Sequence, residues 1–152
     1  MRRYYLVFFG AVALDLTVLP WLWGASLTPK AVMIALTFLF LRLEQRDLYF
    51  IFALTLVYLR AGGDFNLGVL FLALAAFLLF EKLFLAKFFH RDAWQTLALS
   101  GLGVVVFYAV LGILSFFTAP GVFYPDTALV ISIILSAIGG SGINLLLRKF
   151  LF

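Results

Sequence analysis

The sequence contains no cysteine and only one histidine, His90, in 152 residues. Without cysteine there is no disulfide, no thiolate nucleophile and no cysteine-based metal site, and the redox compartment leaves no trace. With no second histidine and no cysteine there is no metal constellation around it, so His90 reads as a solvated side chain in a polar loop. Charge is scarce too. Only 12% of the residues are Asp, Glu, Lys or Arg, and seven are acidic, where a soluble domain carries ~25% charged residues. No Ser-His-Asp set or carboxylate pair stands out, and an enzyme needs a positioned acid, base or nucleophile. The run Gly139-Gly140-Ser141-Gly142 is not a phosphate loop, because no Gly-Lys-Ser/Thr follows it. The expectation is a protein that is not an enzyme and that carries no cofactor and no metal.

What fills the chain instead is apolar. Hydrophobic residues make up 66% of it, with 19 phenylalanines. A globule in water cannot hide that much apolar surface at this size, so lipid is the expected solvent. The net charge of +4 does not point to nucleic acid. The basic residues are scattered in short clusters between apolar runs, where they act as topology signals and headgroup contacts. At the N-terminus, Met1-Arg2-Arg3 and the small residues Gly24-Ala25-Ser26 have the outline of a signal peptide. Asp15 inside the apolar run, and a run up to Trp23 long enough to span, argue against cleavage.

Charges and turn residues divide the chain into six apolar blocks: Tyr4 to Trp23, Pro29 to Leu41, Leu48 to Leu59, Leu67 to Phe89, Trp94 to Phe117, and Pro125 to Leu147. Thr28-Pro29 opens the second as an N-cap followed by proline at the first helical position. The second and third blocks, thirteen and twelve residues long, reach only ~20 Å against a hydrocarbon core of ~30 Å. They either extend by snorkelling Arg42, Arg46 and Arg60, sit in a thinned bilayer, or form one re-entrant hairpin. Whether residues 29–60 cross fully stays open at this point. Six spans with the N-terminus inside place nine of the eleven basic residues in the cytoplasm, leaving Lys30 and Arg60 outside. If blocks two and three do not cross, that bias drops to seven against four. Eight of the nine Trp and Tyr residues fall near span ends, Tyr108 being the exception, as amphipathic rings at the headgroup layer should. The expected fold is therefore a single all-α domain over residues 1–152, a polytopic membrane protein of about six helices with both termini cytoplasmic.

Four groups of residues invite a role. Asp15 lies near the middle of span one, where an ionised carboxylate costs ~2.5–3.5 kcal/mol on insertion scales. It is expected to face protein or water or to be protonated, either as a packing carboxylate or as a partner-binding or proton-linked group. Ser132, Ser136, Gly140 and Asn144 recur every four residues in span six as one small, weakly polar stripe. Such stripes allow close helix contact in lipid and suit a groove for a partner's membrane helix or internal packing; Ser100, Gly101, Gly103 and Gly112 of span five read the same way. Arg60, Asp64 and Asn66 surround Gly62-Gly63 as an outer-face polar turn, either a small pocket or a solvated turn. Glu81 and Lys82 interrupt the fourth block and read as interface anchors.

The order of these features also resembles a known family. Span one ends in Leu19-Pro20. A short span opens at Pro29 and ends in the charged hinge Arg42 to Asp47. A third runs into Leu59-Arg60-Ala61-Gly62-Gly63-Asp64, and Leu67-Gly68 opens a long fourth. Over roughly residues 12–117 this layout looks like MreD, a small membrane protein of the bacterial cell-elongation machinery. Members usually have glycines in span three, which Leu48 to Leu59 lacks, and an acid soon after, which Asp64 matches. The resemblance implies six helices in the bacterial inner membrane, a fold similar to the substrate-binding subunits of energy-coupling-factor transporters, and no catalytic residue. It implies as partners the bitopic protein MreC, other wall-synthesis proteins and the bilayer, with no nucleic acid. The alternatives are a substrate-binding subunit for a vitamin-type molecule, with Arg60, Asp64 and Asn66 at its mouth, and an intramembrane lipid enzyme using Asp15 or Glu81.

Overall fold

The computed structural model describes residues 2–18, 31–40, 43–62, 65–88, 93–118, 127–136 and 138–139. Gly140, Asn144 and Asp64 lie outside the described residues. So do Leu19-Pro20, the loop from Gly24 to Lys30, and block six beyond position 139.

Among the described residues there are six helices and no strand: α1 (Arg2–Leu16), α2 (Ala31–Phe40), α3 (Gln45–Ala61), α4 (Leu67–Phe88), α5 (Ala93–Thr118) and α6 (Thr127–Ser136). Each falls in one of the expected apolar blocks. The clearest extension beyond an expected block is at α3. Its 17 residues begin inside the expected charged hinge and give it a length of ~25 Å instead of the ~18 Å of the apolar block alone. The reason is electrostatic fit: Asp47 stands in the first turn and Arg60 in the last, each complementing the helix dipole. α4 is continuous across Glu81 and Lys82 over 22 residues.

The shortest element is the most enclosed. α2 has only 10 residues, yet it packs against α1, α3, α4 and α5, and Val32, Met33, Ile34, Leu36 and Leu39 are all buried. Gly139, just beyond α6, brings that end of the chain to Ile34, whose Cδ1 stands 3.5 Å from where a glycine Cβ would be. The other helices carry inward stripes at helical spacing: Leu48, Ile51 and Thr55 on α3, Leu70, Leu74, Phe77 and Glu81 on α4, and Val104, Phe107, Leu111 and Ser115 on α5. α4 and α5 form the most extensive helix pair, antiparallel, with Phe77 and Phe107 edge to face at 6.5 Å between ring centroids.

The outside is as apolar as the inside. Leu6, Phe9 and Leu14 on α1, Tyr49, Phe50 and Val57 on α3, Phe71, Leu72 and Leu79 on α4, Ile113, Phe116 and Phe117 on α5, and Val130, Ile131 and Ile134 on α6 are all exposed. The buried set, in turn, includes Asp15, Thr55, Glu81, Ser115, Ser132 and Ser136. By length and composition one helix among the described residues, over Gly101–Thr118, is long and apolar enough to cross a membrane, with a mean hydropathy of 2.2 and 28% of it buried.

Candidate functional site

Two levels of polar contact join α1 to α3. Near the N-terminal end of α1, the Tyr5 hydroxyl donates to Asp47 Oδ1 at 3.0 Å, and the Tyr5 ring meets Phe50 edge on at 5.8 Å. Near the other end lies Asp15. Its Oδ1 accepts from the Ala31 N–H at 2.6 Å. Its Oδ2 accepts from the Val32 N–H at 3.1 Å and from the Tyr58 hydroxyl at 3.1 Å. Asp15 therefore does in space what an N-cap does in sequence. The first N–H groups of a helix have no partner within it, and those of α2 are buried with Ala31 and Val32. A carboxylate from the preceding helix supplies two acceptors and the charge that the positive helix end favours.

The two levels also fix direction. Tyr5 precedes Asp15 by ten residues on α1, and Asp47 precedes Tyr58 by eleven on α3, so the helices run parallel over ~15 Å. α2 starts at the Asp15 level and ends four residues before α3 starts at the Tyr5 level. It therefore runs antiparallel to both.

Of the turn expected on the outer face, Arg60 and Asn66 are engaged locally. The Arg60 guanidinium donates to the Phe65 carbonyl at 2.9 Å. Asn66 Oδ1 accepts from the Gly68 N–H at 2.8 Å, making Asn66 the N-cap of α4. Of the four-residue stripe, Ser132 and Ser136 are buried inside the bundle, and the Ser136 hydroxyl donates to the Ser132 carbonyl one turn back at 2.7 Å. Thr55 does the same to Ile51 at 2.7 Å, the way hydroxyls satisfy themselves within a helix. Among the described residues the structure thus brings Asp15 together with Tyr58 and the start of α2; Asp64, Gly140 and Asn144 lie outside them.

Two features carry more than the sequence reading assigned them. The first is an open groove of about 560 Å³ between α5 and α6. Ala109 and Gly112 contribute small residues to it, and Phe116, Phe117, Leu129 and Ile133 contribute large ones. Among the described residues its lining is almost wholly apolar, with Tyr108 contributing the one polar side chain. A cleft of this size is within the range that holds a ligand or an inserted helix face. The second is Glu81. Expected at an interface, it is instead 1% exposed, and neither carboxyl oxygen has a hydrogen-bond partner. Its position was in the sequence all along, because Leu70, Leu74, Phe77 and Glu81 follow one helical stripe while Lys82 turns outward and is exposed. On the facing helix Gly103 makes the space: a Cβ there would collide with Glu81 Oε1 and come within 2.8 Å of Phe77 Cε2.

Chemically, this arrangement offers hydrogen-bond acceptors and apolar surface. Among the described residues no group of three His, Cys, Asp or Glu could hold a metal ion. Compared with protein-family models, with characterised proteins and with solved structures, the chain matches none.

Proposed function

We propose that the chain is a non-enzymatic scaffold of the bacterial inner membrane, working as MreD does in the cell-elongation machinery by holding the membrane helix of an MreC-like partner. The observation that carries this reading is the inverted solvation of the bundle. Every helix except the enclosed α2 presents large apolar side chains outward, while hydroxyls and carboxyls are kept inside and mostly bonded. A soluble monomer rarely exposes contiguous apolar patches beyond a few hundred Å², whereas lipid solvates such a surface without penalty. The polar levels support full crossings of residues 29–60. The charged hinge lies at the depth of Arg2 and Arg3, since Asp47 pairs with Tyr5, so α2 and α3 reach as far as α1 does. That geometry supports nine basic residues against two on the cytoplasmic side.

The groove between α5 and α6 is the surface we assign to the partner. Its residues on α5, from Val105 to Phe117, belong to the half of that helix nearer the outer leaflet in this topology. The test is capture of an MreC-like membrane helix by the full chain in detergent or nanodiscs. Ala109→Trp and Gly112→Leu fill the groove from positions that are not buried and should weaken capture by on the order of tenfold, a change of ~1.4 kcal/mol. Undiminished capture by both variants places the partner elsewhere. Ser136→Leu is not a test of docking, because Ser136 is wholly buried and the change acts on the bundle itself. For a transport subunit, the bonds of Arg60 and Asn66 to their own turn offer no special support; a stabilising shift by a vitamin-type ligand would favour that reading instead.

A further inference from the structure

Glu81 has a place in the bundle that neither packing nor partner binding explains. Its carboxyl lies between α4 and α5 with both oxygens bare. A charge so enclosed needs a counter-ion. Calcium and magnesium take six or more oxygen ligands and zinc about four ligands, mostly side chains, and among the described residues no cluster of acidic or histidine side chains exists to supply them. A lysine or arginine from a partner has no way in, since the side chain is 1% exposed and Gly103 and Phe77 close over it. The helices packed against α4 are α2, α3 and α5. The described side chains of α2 are all apolar. On α3, Asp47 is bonded to Tyr5 and Tyr58 to Asp15, Arg60 reaches Phe65, and Arg46 and Tyr49 are exposed. On α5 the titratable group among the described side chains is Tyr108. None of these bonds to Glu81. The one cation that needs no room beside the oxygens is the proton.

We infer that Glu81, seated on Gly103, is a proton-binding site that latches α4 to α5: the pair closes around the neutral acid and loosens when the proton leaves to water. The proton is bound to a carboxyl oxygen in the closed pair and transferred to solvent on opening, with no other bond made or broken. Gly103 is the positioning residue, because it removes the side chain that would stand where the acid sits.

The absence of cysteine makes opening measurable. In the full-length chain in nanodiscs, Val104→Cys places a thiol on a buried position beside Gly103, and Leu102→Cys places one on an exposed position of the same turn. The ratio of their labelling rates by a neutral maleimide divides out the reagent's own pH dependence, and the Glu81→Gln background divides out that of the two thiols, which burial sets apart. That ratio should rise several-fold from mildly acidic to mildly alkaline buffer, and should be flat when Glu81→Gln is added, since the amide keeps the shape and cannot release a proton. A ratio flat in both backgrounds, or rising equally in both, overturns the latch. Should Val104→Cys fail to fold, the thermal midpoint of the cysteine-free chain decides: wild type falls by several degrees over the same pH range and Glu81→Gln does not. Equal pH profiles for the two overturn the proposal. Neither readout involves a partner, so its failure is separate from failure of the scaffold reading.

Discussion

Removing the Asp15 carboxylate should be among the most destabilising single changes available in this chain, and the structure allows the size to be worked out. Asp15→Ala strands three donors: the N–H groups of Ala31 and Val32 and the Tyr58 hydroxyl. In a soluble core an unsatisfied buried donor costs ~1–3 kcal/mol, which for three gives an upper figure near ~6 kcal/mol with partial relaxation. In lipid, interhelical hydrogen bonds measure only ~0.6 kcal/mol on average, which sets a lower figure of ~2 kcal/mol. The expected loss is ~2–5 kcal/mol. Asp15→Asn keeps one acceptor oxygen but loses the charge facing the α2 N-terminus, so it should cost about half as much. Tyr58→Phe removes one bond and should cost ~0.6–1.7 kcal/mol. The assay is reversible unfolding of the chain in bicelles with increasing SDS, for the three single variants and the Asp15→Ala, Tyr58→Phe double. The decisive quantity is the coupling: because Tyr58 and Asp15 share a bond, Tyr58→Phe should cost little once Asp15 is alanine. Full additivity, or an Asp15→Ala loss under ~0.5 kcal/mol, refutes the view that this carboxylate anchors α2.

The same pairing logic applies to α4 and α5. Gly103→Ala alone should lower stability by ~1–3 kcal/mol, the usual cost of overpacking, and most of that should return in the Glu81→Ala, Gly103→Ala double variant, as read by thermal midpoint. The up-down-up order of the first three helices predicts sidedness. Single cysteines at Arg3 and Glu44, both exposed, should be labelled by an impermeant maleimide from one face of sealed vesicles, and a cysteine at Asn66 from the other. Labelling of Arg3 and Glu44 from opposite faces contradicts full crossings of α2 and α3.

The helices were readable from sequence because each apolar block is bounded by charge or by Gly and Pro, and membrane-type blocks have few ways to fold other than as helices. Length was less readable. Leu48 to Leu59 understates α3 because Gln45, Arg46, Asp47 and Arg60 are polar yet helical, and hydropathy cannot tell a polar first turn from a loop. The centrality of α2 was not readable at all. A block apolar on every side fits a lipid-facing span as well as a buried one, and only the packing of α2 against four other helices, with Val32 and Leu36 buried, decides between them.

Asp15 and Glu81 show why the site was harder to read than the fold. Both are carboxyls within apolar blocks, and position along the helix suggested that the first was exceptional and the second peripheral. The difference between them lies in what faces them. Asp15 meets a helix start sixteen residues away, a partner made of backbone N–H groups that no side-chain motif announces. Glu81 meets a glycine, whose contribution is the absence of a side chain. In the proposed lipid setting, apolar burial does little to choose among helix registers, since acyl chains solvate Leu and Phe as well as other helices do. Register is then set by the few places where a donor must find an acceptor or a bulky group must find a gap. Tyr5 with Asp47, Asp15 with Tyr58 and the α2 start, and Glu81 with Gly103 are those places here. Each defines a depth, so sliding any one of α1 to α5 by a single turn breaks at least one of them.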